Sequence, residues 1–238
     1  MLNFKRFVLF MAVLVFLPVM VMSQTRPGVT SSSEMTVEQS YLQESVELMI
    51  IREQSRAESR DMKFVALEYI GDAIGRGNRS DEIRVALEYL SLEGVVNVTR
   101  ENGRITNNYP DIRRQAATYL GRLGTPEAKN TLLKMVSGDN EPMVLSEAIK
   151  SLALIGDNNN NETINRIVWT VNRFDTLNPD NLLALSAIEA FEKFAATGSG
   201  ITDPSAIQTL IRITEGSYIR PVQDRAREAL ANIRQANR

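Results

Sequence analysis

The sequence contains no cysteine and no histidine. The first absence excludes disulfides and thiolate metal sites. The second removes the most frequent general base and the commonest transition-metal ligand, which tells against hydrolytic and zinc chemistry. An excess of positive charge is missing too. Lys and Arg number 27 against 29 Asp and Glu, a net charge of −2 at pH 7. A mildly acidic chain of this kind is a poor generic nucleic-acid binder. No Walker or dinucleotide fingerprint follows a strand, and Gly198-Ser199-Gly200 reads as a helix end. Carboxylates such as Glu82, Glu88, Glu147 and Glu189 are plentiful, but none is paired in sequence for acid–base work. Asp157–Glu162 alternates oxygen donors as a calcium loop does. It lacks the glycine at the sixth place and an acidic twelfth residue, where Val168 stands, so it reads as a polar connection. These absences point away from an enzyme and imply neither a cofactor nor a metal.

The first feature that is present is an apolar run. Lys5 and Arg6 precede Phe7–Met22, which holds no charge, and Val21 and Ser23 suit a signal peptidase site. Residues 1–23 are therefore expected to be a secretory leader, with Gln24 as the mature start. The competing reading is an uncleaved anchor helix. Sixteen residues fall short of the roughly 20 that span a bilayer, and Pro18 would disturb such a helix. Loss of Lys5 and Arg6 takes the mature charge to −4. Residues 24–36, with Pro, Gly and three consecutive serines, read as a flexible linker. The expected destination is the periplasm of a bacterium. Secretion and an N-terminal membrane anchor are the alternatives, and only an uncleaved leader would touch the membrane.

From there the chain repeats itself. In Asp111–Gly124, the residues Ile112, Ala116, Ala117, Leu120 and Leu123 lie at offsets 0, 4, 5, 8 and 11, one face of a 3.6-residue helix. The same offsets hold Met62, Ala66, Leu67, Ile70 and Ala73. They recur from Val144 to Ile155 and from Leu183 to Phe194. A last copy has Val222, Ala226, Leu230 and Ile233, with Arg227 breaking the pattern. Alanine occupies offset 4 each time, where a small residue lets a neighbouring helix come close. Starts at 62, 112, 144, 183 and 222 signal stacked helical units, none able to bury its apolar face alone.

The spacing predicts helix pairs over 61–215, with Ser80 capping a helix near 80–93, Asp111 capping the helix that Gly124 ends, and Pro126 opening the next. Residues 37–59 are expected to form an N-terminal cap helix, with Val46, Leu48, Met49, Ile50 and Ile51 covering the open end. Residues 219–236 are expected to form a C-terminal cap whose arginines face outward. The wide first spacing comes from an insertion at 94–110. Val95, Val96 and Val98, then Ile105 and Thr106, flank Glu101-Asn102-Gly103-Arg104. This fits two short strands around an Asn-Gly turn, or an irregular surface loop.

The segment Asp111–Ala128 resembles a HEAT or HEAT-like repeat, of the kind also met in the PBS-lyase-like subfamily. Asp111, Ile112, Arg113, Ala116, Ala117, Leu120, Gly121, Leu123, Gly124 and Ala128 carry the likeness. It extends more loosely over about 61–238. The fourth copy departs from it, with Glu192 where the second has Gly121. The resemblance implies an all-α, right-handed solenoid of antiparallel helix pairs, with binding and scaffolding as its work. Some PBS-lyase-like members attach bilins to proteins; nothing beyond the repeat supports that activity here.

In such stacks the second helices usually line the concave face. Taking Ile83, Ala128, Ile164 and Ile207 as equivalent core positions puts Arg84, Lys129, Arg166, Trp169 and Arg212 on a partly exposed groove. Arginine and tryptophan are the types that anchor interfaces. The alternative is a solvated charged face with Trp169 in the core. The function expected is a non-enzymatic scaffold or adaptor for protein partners, with no nucleic acid bound. An accessory or lyase-like factor acting on a modified protein, or a subunit that polymerises through its caps, are the other readings. Intact-mass measurement of the exported protein is expected to give a chain starting at Gln24; retention of residues 1–23 would establish the anchor reading instead.

Overall fold

The computed structural model describes residues 36–197, 201 and 203–236. The expected leader, and the linker apart from Thr36, lie outside the described residues. The chain divides into two units, Met1–Tyr41 and Leu42–Arg238, and of the first only residues 36–41 are described. In the first, the described residues open helix α1 (Val37–Arg56) with a reciprocal cap. Gln39 N donates to Thr36 Oγ1 at 3.3 Å, and Thr36 N donates to Gln39 Oε1 at 3.1 Å.

The second unit holds the rest of α1 and nine further helices among the described residues. These are α2 (Arg60–Gly75), α3 (Asp81–Ser91), α4 (Pro110–Leu123), α5 (Pro126–Gly138) and α6 (Pro142–Ile155), then α7 (Glu162–Leu177), α8 (Asn181–Ala196), α9 (Pro204–Glu215) and α10 (Arg220–Ala236). They pack as two layers. In the first layer α2, α4, α6, α8 and α10 each touch the next; in the second α3, α5, α7 and α9 do the same. The result is the all-α, HEAT-like stack of helix pairs.

Local chemistry sets the boundaries. Thr125 Oγ1 accepts from Ala128 N at 3.2 Å, and Pro126 occupies the first position of α5, where its missing N–H costs nothing. Asp180 Oδ1 accepts from Leu183 N at 2.8 Å to start α8. Gly124 closes α4 at φ 69, in the left-handed region that a side chain disfavours. Two expected caps differ. Asp111 is the second residue of α4, behind Pro110, and pairs with Arg60 across the layer. Burial alone would raise its carboxyl, but the Arg60 and backbone hydrogen bonds hold it below the usual carboxylate range. Ser80 stands at the N-cap of α3, yet its hydroxyl makes no bond there.

The repeated apolar face is the core. Ala66, Ala116, Ala148, Ala187 and Ala226, the offset-4 alanines, are all completely buried. Met62 breaks the pattern at 45% exposure. It lies in the first turn of α2, and its neighbour Lys63 turns inward instead. In α1, Ile51 is buried and Leu48 packs partly against the core, whereas Val46 and Met49 are half-exposed. Helical phase explains it, since these two project away from the face that carries Ile51 and Ser55.

The first-layer helices come close through offset 9. A Cβ on Gly121 would lie 2.7 Å from Ser151 Cβ on α6, and one on Gly71 would meet Tyr119 on α4. Tyr119 and Ser151 both stand at offset 7 of the following copy. At the C-terminal seam Glu192 replaces the glycine and accepts from Arg225 Nη1 of α10 at 2.9 Å, so an ion pair takes the place of close packing.

The insertion contains a small antiparallel sheet of β1 (Arg100–Glu101) and β2 (Arg104–Ile105). Asn102 and Gly103 make its turn at φ 49 and 81, as an Asn-Gly hairpin requires. Val95–Val98, expected as the first strand, are not in it. Val96 N and Asn97 N both donate to Leu92 O, which folds this stretch into a turn at the end of α3.

Gly121→Val is expected to lower stability by about 1–3 kcal/mol, the usual cost of overpacking, with partial recovery in a Ser151→Gly background. Urea unfolding of the two proteins checks it.

Candidate protein-interaction surface

Two regions stand out from the repeat pattern: the base of the inserted hairpin and the solvent face of the second helix layer.

The hairpin is anchored by buried charge. Arg113, at offset 1 of its copy and 1% exposed, donates from Nε to Asp139 Oδ2 at 2.7 Å and from Nη2 to Asp139 Oδ1 at 3.3 Å. Its Nη1 donates to Glu93 O at 3.2 Å and to Asn108 Oδ1 at 2.8 Å. Lys63, at the same offset of the first copy, pairs with Glu93 Oε1 at 2.9 Å and donates to Ser55 O at 3.2 Å. Asn107 Nδ2 donates to Asn97 O at 2.7 Å, and Asn107 Oδ1 accepts from Thr99 N at 2.9 Å. Both stems of the insertion are thereby tied to the core. Beyond this base Val96, Val98 and Ile105 are exposed, and a cleft of about 340 Å3 runs between the hairpin and the α5–α6 turn at Gly138–Glu141. Buried charge at offset 1 escaped the apolar pattern. The available signal was a basic residue at that offset in two copies, each followed by Glu93 or Asp139 after the paired helix.

The second layer presents one solvent stripe on each of α5, α7 and α9. Trp169 lies in the middle of the α7 stripe at 48% exposure, outside the core. The guanidinium of Arg173, one turn on, stands 4.9 Å from its ring centroid and 5.1 Å from that of Phe174. Arg173 Nη2 also donates to Asp139 O at 2.9 Å, so the stacked cation is fixed from below. Arg166 is exposed beside Trp169, and Arg212 is exposed on the neighbouring α9 next to Ile211. Helices α7 and α9 are joined by Thr209 Oγ1 to Asn172 Oδ1 at 3.4 Å, and α7 and α5 by Thr170 Oγ1 to Val136 O at 2.9 Å.

Not every expected groove residue is there. Lys129 is 5% exposed; its Nζ reaches Asp157 Oδ2 at 2.9 Å and Glu162 Oε2 at 3.6 Å. That ammonium holds the Asp157 carboxyl below its ordinary range. Lys129 thus joins the α5 and α7 pairs and does not face solvent. Arg84 lies on α3 with its charge spent on Asp81 at 3.0 Å and Glu88 at 2.7 Å. The core position of α9 is Ala206, fully buried, and Ile207 is only partly so. The one-residue shift puts Ile211 in the place equivalent to Trp169. Lys134, on the α5 stripe, belongs to the surface and was not anticipated; its phase relative to Ala128 was the missed signal.

A family model described as HEAT repeats matches residues 103–167, from the hairpin turn into α7. No curated protein matches the chain. Among the described residues no cluster of acidic side chains is arranged to hold a metal ion, and no helix is long and apolar enough to cross a membrane.

Arg113→Ala is expected to destabilise the protein by about 3–5 kcal/mol, because Asp139 is left buried without its partner. The double change Arg113→Met, Asp139→Leu is expected to recover most of that loss. Denaturant unfolding midpoints of the three proteins provide the check.

Proposed function

We propose that this chain, a HEAT-like repeat protein over its central part, is a non-enzymatic scaffold that binds other proteins in the bacterial envelope after export. It makes its contacts through the second-helix layer and the inserted hairpin. Stacked helical repeats supply extended surfaces of this kind, and HEAT repeats commonly serve as protein-interaction scaffolds. The observation that carries the reading is Trp169. A lone tryptophan held half-exposed, with an arginine stacked on its ring, leaves apolar area uncovered and already ordered. Tryptophan and arginine are the types that dominate binding energy at interfaces. The envelope location rests on the leader-like residues 1–23.

The test replaces Asn130 or Gln208, exposed and neutral on the α5 and α9 stripes, with a photocrosslinking residue in cells. Lys150, exposed on α6 in the other layer, is the control position. Discrete protein adducts are expected at 130 and 208, none at 150, and their loss when Trp169→Ala and Arg166→Ala are combined. Adducts that survive the double change, or form equally at 150, would overturn the proposal.

A further inference from the structure

The charges around Trp169 say what kind of partner it receives. The two other cations of the second-helix layer are neutralised: Arg84 by Asp81 and Glu88, and Lys129 by Asp157 and Glu162. The stripes of α5, α7 and α9 differ. Lys134, Arg166 and Arg212 have no ion-pair partner among the described residues, and the Arg173 guanidinium lies over the Trp169 ring. Carboxylates on these stripes occur only at helix ends. Glu127 and Glu162 stand in first turns, Glu162 close to Lys129, and Glu215 is the last residue of α9. Asp175 is turned to the Tyr218 hydroxyl, which burial first and this contact second hold above the usual tyrosine range.

The middle of the surface is therefore a band of unneutralised cations around two exposed apolar side chains, Trp169 and Ile211. They occupy equivalent positions on adjacent helices, at 48% and 37% exposure. The band is local, since the whole chain carries −2. At physiological salt, charges interact over only about 8 Å, so an anionic ligand feels these four groups more than the distant acidic surface.

We propose that the partner is a protein that inserts an acidic segment here, with an apolar side chain seated between Trp169 and Ile211 and carboxylates against Lys134, Arg166 and Arg212. This rests on the scaffold reading above and names the chemistry of its ligand. A nucleic-acid strand fits less well. Such strands are held by successive aromatic platforms, and this surface has one exposed ring flanked by Asn130, Gln208 and Ile211.

The single tryptophan supplies the readout. Random peptides are selected on the immobilised full-length protein, and the enriched ones are titrated at about 0.15 M salt while Trp169 emission is followed. The expected result has three parts. Enriched peptides are rich in Asp and Glu around an apolar residue, and they shift the emission. The exposed double variant Arg166→Glu, Arg212→Glu, whose unfolding curve matches the parent, binds them roughly tenfold or more weakly. Peptides with Lys in place of Glu bind that variant in turn. Enrichment without acidic bias, binding that leaves the emission or the double variant unaffected, or tighter binding of a single-stranded oligonucleotide of equal charge would each overturn the proposal. If crosslinks at positions 130 and 208 persist in that event, only the partner chemistry has failed; if they too are absent, the scaffold reading fails with it.

Discussion

Arg113 and Asp139, a buried ion pair, tie five helices together at once. Arg113 leaves α4 and finds both oxygens of Asp139 at the end of α5, the carbonyl of Glu93 after α3, and Asn108 at the foot of the hairpin. Asp139 Oδ1 also accepts from Asn140 N at 2.8 Å and Glu141 N at 3.0 Å, which orients the start of α6. Its carbonyl takes Arg173 from α7. Burying a charge is costly unless its partners are complete. Here they are complete only when all of these segments are in place, so the geometry of the central repeats is specified more sharply than apolar packing alone would require.

The proposed interaction surface is built on the same group. Arg173 is held by Asp139 O and in turn holds the face of Trp169. The ring that a partner would touch is thus two contacts away from the buried pair. Order at the surface derives from order in the core, and a rigid, pre-placed aromatic loses little conformational entropy on binding.

Most of the helical architecture was legible in the sequence because apolar offsets and caps are local signals. Ala66, Ala116, Ala148, Ala187 and Ala226 recur at one offset and are all buried; Gly124 and Pro126 mark the boundaries they were expected to mark. The misses arose where contacts are distant in sequence. Lys63 and Arg113 fall outside the apolar pattern, and their burial is explained only by Glu93 and Asp139, which the fold brings beside them. Val46 and Met49 belong to an apolar run that a helix must split between two faces. In the surface itself, Arg166, Trp169 and Arg212 were placed by phase on exposed positions, whereas Lys129 at the same level turned inward to Asp157. A phase count fixes direction around a helix, but the neighbour on either side decides whether that direction meets water.

The manner in which the hairpin is fastened bears on how this chain can vary. Its closure depends on side chains at the stems, Glu93, Asn107 and Asn108, while the pairing between β1 and β2 spans two residues a strand. Residues 99–106 beyond those stems contribute nothing to the buried network except Thr99 N. The tip is consequently insulated from the fold. Its length and composition are free to change between lineages, or at the hands of an engineer, while the stack beneath keeps its shape: an exchangeable module mounted on a fixed socket.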